Sequence, residues 1–150
     1  MKATVSMLAL ALVLFAAPLV NAQEAKPLSE KQLEMIKENV LANLDHTSLE
    51  VRAATMQLLI DMKETYPSYD LSYAVLPMME TLKSDSKPEF RILAALALFH
   101  LDSDLGRFAV ERRAKYDDDE RVARHCASLV RNWDKEKDKD SFLAEIEREL

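Results

Sequence analysis

The chain has 150 residues, one cysteine, one glycine and a formal charge of −6, and these numbers argue against several kinds of protein. The excess of acidic residues argues against nucleic-acid binding, which normally needs a basic surface, and the single cysteine, Cys126, cannot form a disulfide within the chain. Because one glycine leaves few of the tight turns that β-hairpins need, the composition predicts one all-α domain.

The first 22 residues have the pattern of a secretory signal peptide. Lys2 gives a short basic start, residues 7–17 are an almost unbroken apolar run, and Ala22 offers a small residue where signal peptidase cuts. The alternative is a membrane anchor, but the run is shorter than the roughly 20 residues of a spanning helix. We therefore expect cleavage between Ala22 and Gln23, and an exported protein, periplasmic or secreted, with a formal charge of 19 − 26 = −7.

Two amphipathic helices are predicted next. Residues 29–32 have the pattern of a capping box, and the helix after it has an apolar face that consists of Leu33, Ile36, Val40 and Leu44. Residues 47–50 repeat the capping pattern. The second helix ends before Pro67, and its apolar stripe consists of Val51, Thr55, Leu58 and Met62.

The middle of the chain predicts a second pair of helices. Asp70 can cap a helix over residues 71–82, in which Pro77 is expected to cause a kink. Residues 86–89 form a third capping pattern before a helix over residues 90–101. Eight consecutive residues of that helix are apolar, so we expect neighbours on nearly all its sides and a place at the centre of the molecule.

The last third of the chain predicts a shorter helix that Asp104 caps, with Leu105, Phe108 and Ala109 on its apolar face. The acidic run 117–120 then provides carboxylates for the start of another helix. The buried stripe of that helix is expected to consist of Val122, Cys126, Leu129 and Trp133. Residues 134–140 are interpreted as a charged linker or a frayed helix end, and residues 141–150 as a last, amphipathic helix.

A similar pattern of apolar residues occurs three times along these helices. It starts at Val51, at Phe90 and at Val122, which gives spacings of 90 − 51 = 39 and 122 − 90 = 32 residues. Residues 76–101 resemble one HEAT repeat, and residues 44–59 resemble another. The resemblance implies a right-handed α-solenoid of about three helix pairs within residues 23–133, with the second helices along a concave surface.

The same resemblance implies a role for two arginines. Arg52 and Arg91 are expected to form a structural ladder with acids at the turns inside the pairs, such as Asp45 and Asp85. Contact with an acidic partner is the alternative reading of both arginines. In the third copy Ala123 stands where the family has arginine.

A second set of residues is a candidate binding surface. Ile92, Leu96 and Phe99 lie on the side of their helix opposite to its first apolar face. They are either covered by neighbouring helices, including the C-terminal helix, or form a groove for a partner helix or peptide. The corresponding positions of the third copy include Arg124 and Arg131, which either form a solvated end or contact an acidic ligand.

These patterns together predict an exported, non-catalytic interaction module that binds a protein partner through its concave surface. Two alternatives stay open: an enzyme or enzyme-accessory protein of lyase-like type, and a self-associating structural or envelope-stress protein. We expect no catalytic residues, no cofactor and no metal, because the histidines and Cys126 lack paired ligand spacing and the acidic runs lack the glycine of a calcium loop. Neither nucleic acid nor, after signal cleavage, a membrane is an expected partner.

Overall fold

The structure is a computed structural model that describes residues 28–149, and the side chains of residues 28–135 and 139. The predicted signal peptide, with its cleavage site between Ala22 and Gln23, lies outside the described residues. The regular elements of the described part are all helical, which confirms the all-α class. They are α1 (Glu30–Leu44), α2 (Leu49–Thr65), a 3₁₀ turn (Ser72–Ala74), α3 (Val75–Ser84), α4 (Pro88–Leu101), α5 (Asp104–Tyr116) and α6 (Glu120–Glu149).

The helices pack as successive pairs in two layers. Each short turn joins two helices that contact each other: α1 with α2, α3 with α4, and α5 with α6. Within one layer α4 contacts both α2 and α6, and within the other α3 contacts α5. Because α4 touches α2, α3, α5 and α6, the predicted central place of residues 90–101 is confirmed.

The N-terminal caps of three helices can be compared with the predicted capping boxes. At α1 the box is confirmed, because the amide of Gln32 donates to Ser29 Oγ at 3.4 Å and the amide of Ser29 donates to Gln32 Oε1 at 2.9 Å. At α2 the cap is Ser48 and not the preceding threonine. At α4 the third box is wrong: Lys87 makes no side-chain cap, and Pro88 simply occupies the first helical position.

The kink predicted at Pro77 rests on the wrong helix start. Because α3 begins at Val75, Pro77 lies in the first turn, where an amide proton has no partner within the helix. Asp70 does accept a hydrogen bond from the amide of Ser72 at 2.9 Å, but this bond precedes the 3₁₀ turn and does not cap α3. Proline here starts a helix and does not bend one.

The core lies between the two layers, and two predicted stripes are corrected there. On α2, Leu58 is exposed, and the buried residues are Thr55, Met56, Leu59, Ile60 and Met62. On α5, Leu105 and Phe108 are exposed, while Gly106 and Val110 are buried. A Cβ at Gly106 would lie 3.1 Å from Leu98 Cδ2, which is a close contact. The absence of a side chain at Gly106 therefore allows α5 to pack closely on α4.

The predicted linker at residues 134–140 is wrong, and so is the separate helix after it. The backbone of α6 is one helix of 30 residues that passes through both segments. Lysine and glutamate, which are abundant here, are good helix formers, and neither glycine nor proline interrupts the run. The predicted buried stripe of α6 is confirmed at Val122, Cys126 and Trp133, while Leu129 is half-buried.

Candidate binding surfaces

Aspartates that follow the first helix of each pair occupy equivalent positions in the fold. Asp45, Asp85 and Asp117 are the residues directly after α1, α3 and α5. Two of them receive an arginine from the second helix of the preceding pair. Arg52 of α2 forms an ion pair with Asp85, and Arg91 of α4 donates to Asp117 Oδ1 at 2.8 Å.

Each of these two arginines makes a further contact along the stack. The guanidinium of Arg52 lies over the ring of Phe90, with 4.9 Å from Cζ to the ring centroid. Arg91 also donates to the backbone oxygen of Asp85 at 2.9 Å and to Asp118 Oδ1 at 3.0 Å. Arg91 therefore joins the turns of two successive helix pairs, whereas Arg52 joins the start of α2 to the turn and second helix of the next pair.

The sequence prediction of this ladder is correct in part. Arg52, Arg91 and Asp85 take part in it, but Asp45 is exposed and forms no ion pair with a described side chain. The sequence prediction did not include Asp117. Asp117 follows α5 as Asp85 follows α3, and this equivalent position could have identified it. The third pair has Ala123 at the arginine position, so the ladder ends there.

Electrostatics favour the charged forms of the ladder residues. Burial by itself raises the pKa of Asp117, but the hydrogen bonds from Arg91 and from the amide of Asp119 outweigh it, so the pKa is lowered. The pKa of Asp85 is also lowered, because the amide of Lys87 and the side chain of Arg52 outweigh burial. The hydrogen bond to Asp117 raises the pKa of Arg91. We therefore assign the ladder to stability.

The predicted apolar surface on α4 is half-buried. Ile92, Leu96 and Phe99 all pack against the core, and the ring of Phe99 lies 4.9 Å from that of Trp133 on α6. Part of this surface is therefore covered by α6 itself and not by a helix that folds back.

The predicted arginines on α6 are exposed. Arg124 lies beside Ile92 at a shallow depression, which Arg121, His125 and Ser128 also line, and it forms an ion pair with Glu120. Arg131 is exposed on the same helix, but it does not line that depression. The structure thus brings Ile92 and Arg124 together, while Phe99 lies farther along, beside Trp133.

A groove between α3 and α5 has more exposed apolar side chains than the predicted surface. Leu76 is 66% exposed, Phe108 62% and Tyr116 75%, and the three side chains line a cavity of about 650 Å³. Met79, Leu82 and Ala109 also line it. We call this feature the α3–α5 groove. Its sequence signal is the apolar side chain of Phe108, which the helix from Asp104 was predicted to carry.

The rim of the α3–α5 groove is basic. Lys83, Arg112 and Arg113 line it together with one acid, Glu80; Lys83 pairs with Glu80 at 3.8 Å, and Arg113 lies 3.6 Å from the buried carboxylate of Asp117, so Arg112 is the lining cation without an ion pair among the described side chains. Arg113 is held in place, because it donates to the backbone oxygen of Lys83 at 2.5 Å. Arg112 is exposed and also borders a second depression beside Phe108 and Tyr116. The basic rim contrasts with the acidic chain as a whole.

The remaining candidate ligands and nucleophiles are dispersed. In the part of the chain that the structure describes, no three His, Cys, Asp or Glu side chains lie close enough together to hold a metal ion. Burial raises the pKa of the Cys126 thiol to about 12. Across the same residues no helix has the length and apolarity of a membrane span.

The architecture and its surfaces were compared with known proteins. No family model, no curated protein and no solved structure matches this chain.

Proposed function

We propose that this protein is an exported, non-catalytic interaction module of HEAT-like architecture, and that it binds an acidic amphipathic helix of a partner protein in the α3–α5 groove. The single observation that carries the proposal is the exposure of Leu76, Phe108 and Tyr116 beside the basic rim. A contiguous apolar surface with a polar border is the usual mark of a protein-binding site.

The arrangement of the helices supports the HEAT-like part of the proposal. Helix pairs follow one another, their second helices lie side by side, and an arginine of each of the first two pairs reaches the turn of the next. A repeated unit that contacts mainly its neighbours is the basis of α-solenoids. The ends of such stacks carry polar residues, in keeping with the exposed Arg124 and Arg131.

The chemistry of the groove selects the kind of partner. Apolar side chains between two parallel ridges of helix fit the apolar face of a third helix, whose anchors recur every three or four residues. Cations at the rim favour carboxylates beside those anchors. An acidic amphipathic helix therefore matches both features, whereas a basic helix would meet Lys83 and Arg112 with like charge.

The test is affinity purification of the tagged full-length protein from the envelope of its own organism. Wild type is compared with Phe108→Asp, which places a charge in the groove on an exposed helix position. Met35→Asp is the matched control, because Met35 is an exposed apolar residue on α1. We expect a partner that the control retains and Phe108→Asp loses, while circular dichroism shows all three proteins folded.

The surface predicted from the sequence is tested in the same experiment. Reversal of both exposed arginines, Arg124→Glu with Arg131→Glu, replaces two positive charges of α6 with negative ones. Loss of the partner in this double variant alone would move the binding site to the second helices and overturn the groove. A wild-type protein that captures nothing reproducibly would overturn the proposed function itself.

A further inference from the structure

The last described side-chain contacts of α6 with other helices are those of Trp133 and Asp134. Near the end of α4 the indole of Trp133 donates to Asp102 Oδ1 at 2.9 Å, and Arg107 of α5 pairs with Asp134 at 2.5 Å. Beyond this point α6 continues to Glu149. The extension is 149 − 134 = 15 residues, or roughly 22 Å at the rise of an α-helix.

The sequence of this extension has one apolar side. In residues 141–150 the apolar residues recur at helical spacing: Phe142, Leu143, Ile146 and Leu150. The same segment has three acids, at 145, 147 and 149, and one base at 148, so its formal charge is 1 − 3 = −2. A helix of this kind gains most of its stability by packing its apolar side against another surface.

The α3–α5 groove of the same chain is out of reach of this segment. The groove lies in the layer of α3 and α5, whereas α6 belongs to the layer of α2 and α4. Since α6 is one uninterrupted helix, residues 135–149 continue its axis beyond Trp133 and Asp134. To enter its own groove the chain would have to break this helix and turn back.

We propose that residues 141–150 of one copy bind in the α3–α5 groove of a second copy. This inference rests on the proposed function, because it names the acidic amphipathic helix that the groove takes. Charge complementarity carries it: a segment of charge −2 meets a rim whose exposed Arg112 has no ion pair among the described side chains, and both surfaces combine charge with apolar residues. Phe108 and Tyr116 are then covered, and Arg112 lies beside carboxylates.

The assembly that results joins two different surfaces of the chain. Reciprocal exchange of the two segments gives a closed dimer, and exchange in one direction gives an open chain of copies. In either arrangement association weakens as salt rises, because the rim charges are exposed to solvent.

The mass of the full-length protein in solution is the first test, measured by size-exclusion chromatography with light scattering over a range of concentrations. We expect self-association in wild type and in the Met35→Asp control. Phe108→Asp in the groove and Ile146→Asp in the segment should each weaken it by about tenfold or more, because either change puts an unpaired charge in the contact. A wild type that stays monomeric at every concentration would overturn the inference.

A charge exchange gives a test that does not depend on apolar burial. Arg112→Glu should weaken association by about tenfold, and adding Glu145→Lys and Glu149→Lys to it should restore most of the loss. Arg112 is exposed, and a folding defect caused by its substitution would not be rescued by the change at positions 145 and 149. Failure of the exchange to restore any association would contradict the proposed pairing.

A peptide separates failure of this inference from failure of the proposed function. The full chain with Ile146→Asp is the receptor, and a fluorescent peptide of residues 134–150 is the probe, with anisotropy as the readout. Binding that Phe108→Asp abolishes supports the inference. If the peptide does not bind while Phe108→Asp still loses an envelope partner, only the self-association is wrong; if neither occurs, both proposals are wrong.

Discussion

Arg91 and Asp117 are joined by a hydrogen bond of 2.8 Å across the boundary between the second and third helix pairs. The side chain of Asp117 is fully buried and that of Arg91 is 9% exposed. The same guanidinium donates to the backbone of Asp85, in the turn of its own pair. One side chain therefore joins two turns that lie 117 − 85 = 32 residues apart in the sequence.

Substitution of this arginine should be among the most destabilising changes to a charged residue. Arg91→Met removes the charged donor of the buried Asp117 carboxylate and leaves the amide of Asp119 as its hydrogen-bond donor, and we expect a loss of about 3 kcal/mol in the free energy of unfolding. Arg124→Met is the control, because the exposed pair with Glu120 contributes less than about 0.5 kcal/mol. Urea unfolding followed by Trp133 fluorescence measures both. Equal effects of the two changes would contradict the assignment.

The ladder also predicts how stability depends on pH. The pKa values of Asp85 and Asp117 are lowered in the folded protein, so the unfolded chain takes up protons first as pH falls. Their contribution is present above about pH 4, the usual range of an aspartate, and is lost as pH falls through the folded values. The stability gap between wild type and Asp117→Asn should therefore narrow on acidification. A gap that stays constant from neutral pH to pH 3 would argue against this origin.

Asp102 has a backbone conformation that few residues adopt. Its φ is 48°, in the left-handed region, and its carboxylate accepts the hydrogen bond of the Trp133 indole. Asp102→Asn keeps an acceptor and tolerates this conformation, so it should be nearly neutral. Asp102→Ala loses both advantages and should cost about 2 kcal/mol.

A third change at the same position separates the two causes. Asp102→Gly restores the backbone freedom but not the acceptor, and should lie between the asparagine and alanine variants in thermal unfolding. Equal stability of the Asp102→Ala and Asp102→Asn variants would contradict both causes.

Cys126 offers a direct measure of global opening. It is the single thiol of the chain, it is buried, and its pKa of about 12 leaves almost no thiolate at neutral pH. Reaction with an aromatic disulfide reagent at pH 8 should be at least about a thousandfold slower in the folded protein than in urea. Arg91→Met should accelerate it in proportion to its loss of stability. Rapid labelling of the native wild type would show that this helix is not packed as described.

Local signals in the sequence predicted two helix boundaries correctly, although the capping patterns at residues 47–50 and 86–89 were not confirmed. The capping box at Ser29 and the end of α2 before Pro67 depend on residues within one turn of each other, and both are as predicted. The continuous α6 shows the limit of the same approach. A run of charged residues was interpreted as a linker, although lysine and glutamate favour a helix and only glycine or proline would have stopped it.

The candidate site was predicted less well, because two of its determinants act across helices. The periodicity of α5 identifies Leu105 and Phe108 as one stripe but does not say whether that stripe faces the core. In the structure the side of α5 that contains Gly106 packs against Leu98 of α4. Leu105 and Phe108 therefore point to solvent, and Phe108 lines the groove. The partner of Arg91 is likewise fixed by the stacking of pairs and not by proximity in sequence.

The amino-acid sequence alone determined the all-α class, the central place of residues 90–101 and the buried stripe of α6 from Val122 to Trp133. Composition and apolar spacing along one helix suffice for these, because they reflect backbone preferences and how much of a helix must be buried. The tertiary structure alone decided that Asp117 and not Asp45 completes the ladder, and that Phe108 faces solvent. Those outcomes depend on which faces of neighbouring helices meet, and that choice minimises voids and unpaired charge over the whole molecule.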